Sequence, residues 1–163
     1  VATFAAVIET LLAAEGGYVN HAADAGGATK FGISSRQYPN VNIRSLTFSK
    51  ACEIYEKDFW NFYSLNSVHS QPLANQLFMT LINMSPLGAV RCFQKAVNTC
   101  GSGVTVSVDG LLGYKTINAI NAAPRAWLMD LIRLEVARYY LAVVSENRSQ
   151  DVFLLGWMRR ALA

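Results

Sequence analysis

The sequence predicts a mainly α fold with a small β-hairpin or turn region after the first helix. Apolar residues recur at helical spacing over most of the chain, and Pro72, Pro86 and Pro124 fall where these periodic stretches begin or end. One glycine-rich segment, Tyr18 to Ser34, breaks the helical pattern near the N-terminus.

The elements follow in order. Phe4, Val7, Ile8, Leu11 and Leu12 repeat at the i, i+3, i+4, i+7 spacing of one helix face, and Gly16-Gly17 supplies a stop. Between Tyr18 and Ser34, Asn20, Asp24, Gly26, Gly27 and Gly32 separate short apolar pieces, which predicts turns and a small hairpin. The stretch from Arg36 to Leu46 is irregular and contains Pro39. Thr47 is a suitable N-cap for a helix from Phe48 to about Phe62. Its apolar face would be Phe48, Ala51, Cys52, Tyr55, Phe59 and Phe62, with Lys50, Glu53, Glu56 and Lys57 toward water. The aromatics between Tyr55 and Tyr63 suit either core packing or stacking on a sugar.

Pro72 fits the first turn of a helix that turns Leu73, Leu77, Leu81 and Ile82 inward, and Pro86 ends it. A helix over 88–98 uses Ala89, Cys92, Phe93, Ala96 and Val97. After the Gly101-Ser102-Gly103 loop comes Val108-Asp109-Gly110-Leu111-Leu112-Gly113, then a short helix over about 114–122. Pro124 opens the longest helix, to about Glu146, with Trp127, Leu131, Leu134, Arg138 and Leu141 on or beside its packing stripe. A last helix starts at Asp151 and is loosened at Gly156. There is no internal repeat or low-complexity segment.

At 163 residues the chain suits one ordinary domain or a small domain with a lobe. With 52% hydrophobic and 15% charged residues, it is expected to be compact, well buried and soluble. A net charge of +3 suits a polyanionic partner such as a cell-wall polymer, but it is too weak for a nucleic-acid binder, and no basic helix face is visible. Cys52, Cys92 and Cys100 cannot all pair within one chain, and their spacing with His21 and His69 matches no zinc signature. Reduced, mostly buried thiols are expected, with a Cys92–Cys100 bridge as the alternative; no metal or cofactor is expected. The apolar runs are too short for a membrane span, so no stable membrane insertion is expected. No basic segment precedes the first apolar stretch, so synthesis in the cytoplasm without a signal peptide is expected.

The chemistry concentrates at Glu15. It lies four residues beyond Leu11 and seven beyond Ile8, which puts a carboxylate on the apolar face of the first helix. Partial desolvation and the negative end of the helix dipole should both raise its pKa. A carboxyl group protonated near neutral pH can act as a general acid. Asp24, beside Gly26-Gly27, is the natural second carboxylate, and Thr29 follows in the same glycine-rich turn. Glycoside hydrolysis needs one protonated carboxyl group for the leaving oxygen and an ionised one opposite; a hydroxyl can help hold water. A structural reading stands beside this one: Glu15 as an ordinary helix-end residue, Asp24 bracing an Asx turn, and Thr29 in a strand.

Glu15-Gly16-Gly17-Tyr18-Val19-Asn20, with Asp24 and Gly26-Gly27-Ala28-Thr29-Lys30-Phe31-Gly32-Ile33, resembles the signature of the lysozyme-like N-acetylmuramidases of glycoside hydrolase family 108. The resemblance continues through Asp58-Phe59-Trp60, Gln76-Leu77-Phe78, Asn83, Pro86, Gln94-Lys95-Ala96-Val97 and Asp109 to Thr116. It implies a lysozyme-like helical fold, with a catalytic region over 1–88 and a peptidoglycan-binding-like helical region over 89–163, packed as one compact unit. It also implies cleavage of the β-1,4 bond between N-acetylmuramic acid and N-acetylglucosamine. Glu15 would be the general acid, aided by Asp24 and Thr29, with Tyr18, Asn20, Lys30 and Asn83 binding the glycan strand. Reaching the wall would then require a holin-like pore or another export route.

The chain departs from the family at His21-Ala22, at Ala25, and at Met79-Thr80-Leu81-Ile82-Asn83-Met84-Ser85, where cleft-lining polar groups are replaced. The alternative function is therefore a peptidoglycan-binding module with weak or no catalysis. The Asp109 to Thr116 segment suits either wall recognition or a turn before a helix.

Overall fold

The computed structural model describes residues 1–14 and 28–162. The chain divides into two compact units, Ala2–Asn66 and Ser67–Ala163 together with Val1. The fold is mainly α, with seven α-helices and one two-stranded hairpin among the described residues. No described helix is long and apolar enough to cross a membrane.

The first unit begins with α1 (Ala5–Ala14). Val7, Ile8 and Leu11 are buried as its periodicity requires, and Phe4 meets Trp60 edge-on at 5.8 Å. Two short strands, β1 (Thr29–Lys30) and β2 (Ile33–Ser34), pair antiparallel with Thr29 opposite Ser34 and Lys30 opposite Ile33. A 3₁₀ turn (Ile43–Ser45) is capped by the Asn42 side chain, which accepts from the Ser45 amide at 3.3 Å. Thr47 caps α2 (Phe48–Tyr55), accepting from the Lys50 amide at 3.2 Å.

The chain does not continue as one α-helix to Phe62. Beyond Tyr55 it widens into a π-helical segment, Glu56–Asn61. The wider turn moves the side-chain register, so Trp60 is buried (2% exposed) and Phe62 points to water (73% exposed). Of the expected apolar face, Ala51 and Tyr55 are buried but Phe48 is exposed, and beyond Tyr55 burial passes to Trp60.

The second unit comprises α3 (Gln71–Asn83), α4 (Pro86–Thr99), α5 (Tyr114–Ala122), α6 (Arg125–Glu146) and α7 (Asp151–Leu162). Leu73, Leu77, Phe78 and Leu81 of α3 are buried with Phe93 and Val97 of α4. Pro86 both bounds α3 and opens α4, whose N-cap Ser85 accepts from the Gly88 amide at 3.2 Å. At Gly88, α4 lies so close to α6 that an added Cβ would sit 2.7 Å from the Tyr139 ring.

The inward face of α6 differs from the expected one. Leu128, Ile132, Val136, Tyr140 and Val144 are buried, whereas Trp127, Leu134 and Leu141 are exposed and Arg138 lies at the surface. Apolar residues surround α6 on every side, so periodicity leaves its inward face undecided, and α4 and α7 decide it. Tyr140 stacks on Trp157 of α7 at 5.0 Å, and α7 runs unbroken through Gly156. Cys52, Cys92 and Cys100 are free thiols.

Candidate functional site

In the first unit, the described residues that end the glycine-rich segment form the β1–β2 hairpin. Its two-residue turn uses Phe31 (φ 52°) and Gly32 (φ 74°), both left-handed, as a tight hairpin of right-handed twist requires. Glycine adopts this freely, whereas phenylalanine does so at a cost. Three contacts hold Phe31 there. The Tyr55 hydroxyl donates to its carbonyl at 3.0 Å, Phe48 meets its ring edge-on at 6.2 Å, and the Lys30 ammonium lies 5.4 Å from its centroid.

Residues paired across two strands share a face. Lys30 and Ile33 form one face, where Ile33 is fully buried and the Lys30 ammonium also donates to the Arg44 carbonyl at 3.4 Å. Thr29 and Ser34 form the other, both half-buried, and Ser34 Oγ accepts from the Gln37 amide at 3.3 Å. Tyr38 hydrogen-bonds Asp58 of the π-helical segment. Burial first, then the Asp58 charge and hydrogen bond, push the Tyr38 phenol up to about 12. The phenol thus remains a neutral donor. Tyr38 carries no periodic signal, so nothing in the sequence pairs it with Asp58.

Glu15, Tyr18, Asn20 and Asp24 lie outside the described residues. Thr29 and Lys30 are adjacent on β1. Asn83 belongs to the second unit, at the end of α3, where its amide donates to the Met79 carbonyl at 2.8 Å.

In the second unit, the Asp109 to Thr116 segment is organised around Gln94, a fully buried side chain of α4. Gln94 Nε2 donates to Asp109 at 2.8 Å and to the Leu111 carbonyl at 3.2 Å, and lies 3.2 Å from Thr116 Oγ1. Its Oε1 accepts from the Gly110 amide at 2.9 Å. The Leu111 amide and the Gln94 side chain hold the Asp109 carboxyl below its usual range. Gly110 has φ 82°, and a Cβ there would meet Leu87 at 2.8 Å. Asp109, Gly110 and Thr116 therefore shape the loop before α5. Between and beside them, Leu111 and Tyr114 point outward, 67% and 72% exposed, along a cleft of about 400 Å³ that Lys115 also lines. A polar Gln94 inside an apolar helix stripe is the sequence signal for this hub.

Comparison with known proteins adds family evidence. Residues 8–85 match the model of glycosyl hydrolase 108, and residues 88–162 match that of a predicted peptidoglycan domain. The structure is similar to that of SagA from Brucella abortus at TM-score 0.77 and 26% identity, covering 97% of this chain and 88% of that one. A comparison with curated proteins found no match. The chain thus carries a glycosyl hydrolase 108 domain followed by a predicted peptidoglycan domain, and it is a glycoside hydrolase acting on peptidoglycan.

Proposed function

We propose that the enzyme is an N-acetylmuramidase that cleaves the β-1,4 bond between N-acetylmuramic acid and N-acetylglucosamine, with Glu15 as general acid. The observation that carries this is the glycosyl hydrolase 108 match over 8–85, which includes the whole Glu15 to Ile33 motif. In the sequence Glu15 directly precedes the Gly16-Gly17 helix stop. A carboxylate at a helix C-terminus is disfavoured by the backbone dipole, so the protonated form is favoured.

In this reading Glu15 delivers its proton to the glycosidic oxygen as the bond breaks. Asp24 stays ionised and either stabilises the oxocarbenium-like sugar or orients the attacking water. The Thr29 hydroxyl helps hold that water. Tyr18, Asn20, Lys30 and Asn83 bind the glycan strand; Lys30 has three ammonium donors and gives one to Arg44. Catalysis is assigned to 1–88 and wall binding to 89–163, where Leu111 and Tyr114 offer exposed apolar surface to a sugar ring. The enzyme acts at the bacterial wall, reached through a holin-like pore or another export route.

The test is digestion of purified peptidoglycan followed by mass spectrometry of the new reducing ends. Wild type should release ends carrying muramic acid, and Glu15→Gln should lower the rate by about 10²–10⁴-fold. Equal rates for the two proteins would remove Glu15 from the acid role. Binding without any release by wild type would leave a wall-binding module.

A further inference from the structure

A second cleft, of about 770 Å³, lies between α4 and α6. Arg91 and Lys95, one turn apart on α4, line it together with Arg138 of α6. Glu135 is the carboxylate in the lining, and Arg138 holds it at 2.7 Å. Among the described residues, Arg91 and Lys95 have no ion-pair partner. Like charges at i, i+4 repel, so this pair does not help the helix. Leu87, Val108 and Ala142 add apolar surface to the lining. Asn98 is already engaged, accepting from the Val106 amide and donating to its carbonyl, both at 2.8 Å.

We propose that this cleft binds the stem peptides of peptidoglycan through their carboxylates, with Arg91 and Lys95 as the anion contacts. The proposal rests on the reading of the chain as a peptidoglycan hydrolase. The lining carries both signs of charge together with small apolar surfaces. A uniform polyanion would meet Glu135, whereas a stem peptide brings carboxylates for Arg91 and Lys95 and alanine methyl groups for the apolar patches. Arg91 can grip a carboxylate with two parallel hydrogen bonds, and Lys95 adds a point charge.

The test measures equilibrium binding of the full chain to three probes: soluble disaccharide-peptides from peptidoglycan, the same disaccharides freed of peptide by an amidase, and inorganic phosphate. Wild type should bind the peptide-bearing probe about tenfold or more tightly than the peptide-free one, and phosphate should compete poorly. Arg91→Glu with Lys95→Glu should lose about tenfold or more on the first probe and nothing on the second. Circular dichroism checks that the double variant keeps its helices; if it does not, Arg91→Gln with Lys95→Gln is held to the same outcomes. Unchanged binding by the double variant, equal wild-type binding of peptide-free sugar, or phosphate competing as well as peptide overturns the proposal. Release of muramic-acid ends by wild type is followed in parallel. Its absence overturns the muramidase reading, whereas its presence with unchanged binding overturns the peptide site alone.

Discussion

Gln94 anchors the last part of the loop before α5, because it bonds Asp109, Gly110 and Leu111 at once. Gln94→Ala leaves those groups partly unsatisfied and opens a gap. It should destabilise the protein by about 2–3 kcal/mol, read from denaturant unfolding. Asp109 adds a pH dependence of definite sign. Its folded-state pKa lies below the ordinary 3.8, so its contribution is present above that value and lost as pH falls through the lower folded one. Thermal melts from pH 5 to pH 3 should therefore show a smaller loss for Asp109→Asn than for wild type. An equal loss in both would mean that the carboxylate's hydrogen bonds add no acid-sensitive stability. Gly110→Ala combines a left-handed φ with a Cβ pressed on Leu87, and should cost about 2 kcal/mol by the same unfolding assay.

At the scale of elements, the π-helical segment and α6 show the same physics. Each is a helix whose sequence offers more apolar residues than its inward face can take. In the first, the wider turn selects Trp60 over Phe62; in the second, the neighbouring helices select Leu128, Ile132 and Tyr140 over Trp127 and Leu134. The two tryptophans make this measurable. Trp60→Ala should cost about 3–5 kcal/mol in chemical denaturation, because it empties a closed site. Trp127→Ser, at a position 68% exposed, should change stability by no more than about 0.5 kcal/mol. A large cost for Trp127→Ser would mean that its surface is covered in solution.

For the whole molecule, the family boundary and the packing boundary fall at different places. The hydrolase match ends at 85, yet the compact units divide between Asn66 and Ser67, so α3 packs with the peptidoglycan domain. A fragment ending at 87 keeps α3 but removes α4 and α6. That would expose Leu73, Leu77, Phe78 and Leu81, all buried in the full chain. It should be insoluble or aggregate on concentration, as sedimentation would show.

The sequence alone determined the mainly α architecture, the bounds of most helices, the hairpin after the first helix and the motif from Glu15 to Ile33. Each of these is written in local periodicity, caps and glycine placement. Tertiary structure decided which side of α6 faces inward, the π-helical turn, the bond between Tyr38 and Asp58, and the convergence of Arg91, Lys95 and Arg138 on one cleft. It also bound Asp109, Gly110 and Thr116 into loop structure and left Leu111 and Tyr114 facing outward. These outcomes depend on residues far apart in the chain competing for the same buried space, and local spacing carries no record of that competition.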